Sequence, residues 1–189
     1  LNGYNGGIIK SEEGLNIKVK GNNTITIPAN PPATVCGINT ESGILTIKGE
    51  GSSPTLNILQ TNLSREGSLY ATGIDGRDGL EITDCSVKIK LNGAQQYDAN
   101  GIGSSNGDFY LNGTASLDID IKNAGNYSYG IGRGVRANTS GNIVVKVDGS
   151  GNPITGISSL YTLGIGNINI SVPKGRAIGG PINISENTG

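Results

Sequence analysis

The chain of 189 residues has no histidine, no tryptophan and no methionine, one phenylalanine and only two cysteines. It also lacks a nucleophile motif, a phosphate loop of the form G-x-x-x-x-G-K-[ST], an adjacent Asp-Asp pair and any zinc-ligand spacing. These absences argue against an enzyme, and glycoside hydrolysis, which needs two carboxylates at a set separation, finds no evident pair. Cys36 and Cys85 are too few for a disulfide framework and sit at different points of the repeat described below, so two free thiols are expected. No apolar run approaches the roughly 18 residues that cross a bilayer, so membrane insertion is not expected. Charge of one sign is missing too. Fourteen basic and fifteen acidic residues are mixed along the chain, for a net charge of −1. Nucleic acid calls for a basic face, as does an anionic membrane surface, and neither partner is expected.

What the chain has instead is glycine, at 32 residues, and asparagine, at 22. Both tolerate positive φ and so supply turns. Between the turns lie short runs alternating apolar and polar, the period of a strand. One pattern recurs. Gly73-Ile74 leads to Leu80-Glu81-Ile82 and then Val87-Lys88-Ile89-Lys90-Leu91. Gly101-Ile102 leads to Phe109-Tyr110-Leu111 and then Leu117-Asp118-Ile119-Asp120-Ile121. Gly130-Ile131 leads to Ile143 through Asp148. These Gly-Ile pairs stand 28 and then 29 residues apart, with further copies at Gly37-Ile38, Gly156-Ile157 and, degenerate, Ala177-Ile178.

A fixed period of this size with three short strands and no helix predicts a repeat architecture, a single-stranded parallel β-helix of about six rungs. The hand expected for parallel crossovers is right. An antiparallel sandwich is the competing reading, because regular short strands suggest that as well. All 189 residues form one domain under the β-helix reading, with stacked Ile, Leu and Val as its core. No signal peptide is present and Leu1 is not a natural start, so a mature chain or a piece excised from a longer surface protein is expected.

In order, residues 1–33 read as a leading, incomplete rung closed by Pro28, Pro31 and Pro32. The first full rung follows, with an insertion from Gln60 to Ser68 that carries Arg65 and Glu66. From Gly73 the pattern tightens and persists to about Val172. Asp118 and Asp120 share the outward side of their strand, with Lys88 and Lys90 on the corresponding strand before and Lys146 on the one after. With strands about 4.8 Å apart this predicts a Lys–Asp–Lys ladder on the outside rather than a metal site.

Tyr129-Gly130-Ile131-Gly132-Arg133-Gly134, Gly101-Ile102-Gly103, Gly164-Ile165-Gly166 and Ile178-Gly179-Gly180 carry a resemblance over roughly residues 70–185. They resemble a repeat of bacterial cell-surface β-helix proteins, in which Gly-Ile-Gly-Gly-Gly precedes an Ile-x-Ile-x-Gly-Gly strand and turn. Some proteins of that kind are labelled carbohydrate-binding, and the fold is similar to that of pectate lyases. The resemblance implies an extracellular or cell-surface module that binds polysaccharide or acts as an adhesin. A structural stalk and a Ca²⁺-dependent polysaccharide lyase are the alternatives. Polygalacturonases of this architecture use a His beside paired Asp residues, and this chain has no His.

The candidate site falls on the loops after the Gly-Ile pairs, with Asp75, Arg77, Asp78, Asn106, Arg133, Arg136 and Tyr161 as contacts. Stacked rungs present such positions in a line, which suits an extended polymer. Arg133 and Arg136 suit acidic sugars through bidentate guanidinium contacts. Asp75 and Asp78 suit hydroxyls or a bridging Ca²⁺, although no cofactor is required. A lyase would use Asp75, Asp78 and Arg77. The plainer alternative is that the arginines pair with Asp75, Asp78 or Asp108 across rungs as surface ion pairs. The glycine column is either a trough for the polymer or a requirement of a tight corner. Tyr127, Tyr129 and Tyr161 are the aromatic candidates, and a monomer is expected.

Overall fold

In the computed structural model, residues 1–28, 35–60, 71–92, 98–103, 107–164 and 166–184 are described. They form strands without a helix, and every pairing among them is parallel. The chain coils into a β-solenoid, which settles the choice against an antiparallel sandwich.

Three ladders run up the solenoid. The first stacks Ile9, Ile38, Ile74, Ile102, Ile131, Ile157 and Ile178 in register. Apart from Ile9 and Ile178, which follow Ile8 and Ala177, these are the isoleucines of the repeated Gly-Ile pairs, so the period in the sequence is the circumference of one coil. The second ladder stacks Leu15, Leu45, Leu80, Phe109, Val135, Leu160 and Ile182. The third stacks Ile25, Ile58, Ile89, Ile119, Val145 and Ile170. Long strands such as Leu45–Leu59 and Ser128–Thr139 pass from one ladder into the next. Each interior strand therefore satisfies its backbone on both edges, and period-2 alternation sends one set of side chains inward.

The inward columns meet in a single core. Ile38, Ile58, Ile74, Ile82, Ile102 and Ile119 are wholly buried there. Filling a core with β-branched residues matches what a pleated, stacked surface accepts best.

Alternation slips by one residue at each Gly-Ile pair, so that both members face inward. Gly37, Gly73, Gly101, Gly130 and Gly156 are all buried. A Cβ on Gly73 would lie 2.6 Å from the Gly101 carbonyl oxygen and 2.6 Å from Ile89 Cγ2. On Gly101 it would lie 2.5 Å from the Gly130 oxygen and 2.6 Å from Ile119 Cγ2. The missing side chains thus leave room for the third ladder and for the next rung's backbone. The column of glycines is a packing requirement inside the corner, and no polymer trough runs along it.

Outside, the expected charge ladder has the expected register. Asp118 stands opposite Lys88, and Asp120 stands between Lys90 and Lys146. Among the described residues, the side chains of these residues make no salt bridge within 4.0 Å. Both thiols are free, Cys85 buried and Cys36 half-buried.

Candidate functional site

Seven residues were candidates, and the structure places six of them in two settings. Asn106 lies outside the described residues, as do Ser104, Ser105 and the insertion carrying Arg65 and Glu66.

Asp75, Arg77, Asp78 and Arg133 belong to the corner between the first and second ladders. Asp78 is exposed, and its Oδ2 accepts a hydrogen bond from the Gly43 amide of the neighbouring rung at 2.6 Å. Arg77 is exposed, and its amide donates to Thr40 Oγ1 at 3.3 Å. Arg133 turns inward, with only 3% of its side chain exposed. Its Nε donates to the Gly103 carbonyl at 2.9 Å and its Nη1 to the carbonyls of Gly76 at 2.9 Å and Gly107 at 3.3 Å. Nη2 pairs with Asp75 Oδ1 at 2.9 Å. One guanidinium therefore ties together the corners of three successive rungs. Burial holds its pKa below the ordinary guanidinium value, and the Asp75 carboxylate opposes that.

The pairing of Arg133 with Asp75 was the plainer alternative, but it is not a surface pair. Arg133 leaves the ligand-binding set because it is spent on backbone carbonyls. The signal was available in the spacing. Counting by twos from Ile131 passes through Arg133, Val135 and Ala137, all buried, whereas Arg136 falls on the opposite parity.

That opposite parity defines the remaining setting, the outer face of the second ladder. Glu81, Tyr110, Arg136, Tyr161 and Asn183 stack there in register, with Thr83, Asn112 and Asn138 in the column beside them. A groove of about 400 Å³ opens between Tyr110, Asn112, Arg136, Asn138, Tyr161 and Asn183. Only Arg136 and Tyr161 were anticipated. Asp108 was expected as an ion-pair partner of the arginines, and it pairs with Arg136; Tyr110, Asn112, Asn138 and Asn183 were missed because they occupy outward positions of strands rather than the loops before them. Tyr127 and Tyr129 lie elsewhere, Tyr127 on a tight turn with φ of 54° and Tyr129 on the outside of the first ladder.

Arg136 is organised by its neighbours. Its Nε lies 3.2 Å from Asp108 Oδ2, and the same oxygen accepts a hydrogen bond from the Tyr110 hydroxyl at 3.1 Å. Its guanidinium carbon sits 5.3 Å from the centre of the Tyr161 ring. One edge and one face of the planar group are thereby held, and its terminal nitrogens make no hydrogen bond to another of the described residues. An arginine so fixed offers a two-pronged donor to a carboxylate at a reduced entropic cost. Glu81 borders the groove on the preceding rung, accepting hydrogen bonds from Asn112 Nδ2 and the Thr83 hydroxyl, each at 3.3 Å.

Among the described residues, no three of Asp, Glu and Cys gather closely enough to ligate a metal ion. Comparison with family models, curated proteins and solved structures returned no match.

Proposed function

We propose that the chain is a non-catalytic binding module for acidic polysaccharide, displayed outside the cell or at its surface, and that the groove on the second ladder is its site. A binder is expected to gather Arg, Asn and Tyr along one face, and this face carries Tyr110, Asn112, Arg136, Asn138, Tyr161 and Asn183 together. The observation that carries the reading is the restraint of Arg136 by Asp108 and Tyr161, with its terminal nitrogens left available. Restraint of that kind lowers the cost of binding a carboxylate. The surface location rests on the low Cys content and the abundance of Asn, Thr, Ser and Gly, together with the resemblance described above.

Affinity electrophoresis through gels containing polygalacturonate tests the reading. The protein is expected to be retarded, and Arg136→Gln is expected to lose most of the retardation with its fold intact by circular dichroism. A wild-type protein that migrates freely through a panel of acidic polysaccharides overturns the reading. The stalk reading would then stand, for which the charge ladder of Lys88, Asp118 and the Lys90, Asp120, Lys146 column is the supporting feature.

A further inference from the structure

The groove around Arg136 does not end at Asn138. A second hollow of about 550 Å³ begins there and is lined by Gly113, Asn138, Thr139, Ser140, Gly164 and Gly166, at the corner between the second and third ladders. Asn138 is common to both hollows. The two hollows adjoin at Asn138, and the second lies farther along the strand direction, around the solenoid rather than up it.

A slip of register in strand Ile154–Gly164 opens this route. Ala137 pairs with Thr162 but Asn138 pairs with Gly164, so one extra residue is accommodated and a glycine falls opposite Asn138. Gly164 needs no special backbone conformation, since its φ is not in the left-handed range, and a Cβ there would meet only Asn138 Oδ1 at 3.8 Å. Packing does not demand a glycine at this point, unlike at Gly101. At this strand end, beside the bulge, the glycine leaves the backbone uncovered, so a ligand can approach it closely.

The axial route is less favourable to an acidic chain. Toward the N-terminal rungs the column leaves Arg136, passes Tyr110 and meets Glu81, whose two hydrogen-bond donors are neutral. A polyanion laid that way brings carboxylates toward an unneutralised carboxylate. The lining of the second hollow, by contrast, contains no charged side chain.

We infer that an acidic polysaccharide crosses this face along the strands, seating one carboxylate on Arg136 and the adjoining uncharged sugar in the hollow floored by Gly113, Gly164 and Gly166. This rests on the binding reading above and adds to it a direction and a sugar class. The ligand is a glycan in which acidic and neutral residues adjoin. Asn138, whose side-chain amide makes no hydrogen bond to another of the described residues, lines both subsites and positions the linkage between them.

The test uses three probes with the intact chain: free glucuronate, short oligomers of polygalacturonate, and hyaluronan oligomers of equal length, which alternate acidic and neutral sugars. NMR titration follows glucuronate, and calorimetry follows the oligomers. Hyaluronan oligomers are expected to bind at least several-fold more tightly than polygalacturonate oligomers. Gly164→Leu, which fills the second hollow, is expected to weaken hyaluronan binding about tenfold and leave glucuronate binding unchanged. Asn138→Ala, which alters only an exposed side chain, is expected to weaken it in the same sense, so that a folding defect in Gly164→Leu does not decide the matter. Hyaluronan binding that is unaffected by both changes but altered by Asn183→Leu overturns the crossing direction and puts the chain along the axis. Equal affinity for the two oligomers overturns the neutral subsite. Binding of no probe by the wild type, or equal binding by Arg136→Gln, overturns the underlying reading instead.

Discussion

Arg136 and Tyr161 stand opposite each other on adjacent strands, and the guanidinium carbon lies 5.3 Å from the ring centre. The contact orients a charge rather than stabilising the fold, since a cation–π pair at an exposed site contributes about 0.5–1 kcal/mol. Tyr161→Leu is expected to lower the melting temperature by only a few degrees, at roughly 2–4 °C per kcal/mol for a chain of this size. The same change should loosen Arg136 and weaken retention on polygalacturonate, though less than Arg136→Gln does. Equal retention of Tyr161→Leu and wild type would show that the ring does not position the guanidinium.

Arg133 behaves in the opposite way. Removing its side chain leaves the carbonyls of Gly76, Gly103 and Gly107 without a donor they now have, and strips Asp75 of a charged partner. Breaking a buried, hydrogen-bonded pair costs about 3–5 kcal/mol. Arg133→Ala should therefore lower the melting temperature by about 6–20 °C. Arg133→Lys should recover little of that loss, because one ammonium cannot reproduce the planar fork. Thermal melts of the two variants beside Arg136→Ala, whose side chain is 49% exposed, check the contrast.

Two glycines separate packing from access. Gly101→Ala places a methyl group 2.5 Å from the Gly130 carbonyl oxygen and 2.6 Å from Ile119 Cγ2. Overpacking of this sort costs about 1–3 kcal/mol or more. Gly164→Ala meets no such obstacle and should be neutral or stabilise by about 0.4–1 kcal/mol through the unfolded chain. Urea titration of both variants measures the difference, and a destabilised Gly164→Ala would mean that this glycine has a packing role.

Burial pushes the Cys85 thiol up to about 12 from its ordinary 9.0. Burial, followed by the Asp75 carboxylate, pushes Cys36 up to about 11. The folded chain therefore keeps both protons where the unfolded chain gives them up. Stability from this source is intact below pH 9 and declines as pH rises from about 9 toward 11–12, because there the unfolded state binds fewer protons. Melting temperature should fall over that interval, and Cys85→Ala should fall less steeply than wild type. At pH 8, Cys85 should react with iodoacetamide only after denaturation, as expected of a protonated thiol out of contact with solvent.

Much of the architecture was legible in the chain. Isoleucines at the repeat period had to stack, because each rung cannot bury its apolar side alone and equivalent positions of successive rungs fall in line. The register of Asp118 and Asp120 against Lys88, Lys90 and Lys146 followed from the same spacing. Parity also separated Arg133 from Arg136, since a strand sends alternate side chains to opposite sides whatever their chemistry. What the linear order could not decide was distance across rungs. The reach of Arg133 to Gly76, 57 residues away, and the meeting of Asp108, Tyr110, Arg136 and Tyr161 depend on where each corner turns. A corner is set by one residue more or less in a loop. The slip that brings Gly164 opposite Asn138 puts a glycine into that column without any change in the local pattern of apolar and polar residues. Local chemistry determined that the chain coils and which residues face inward. Only the stacked structure decided which outward residues share a face, because that depends on register summed over whole turns.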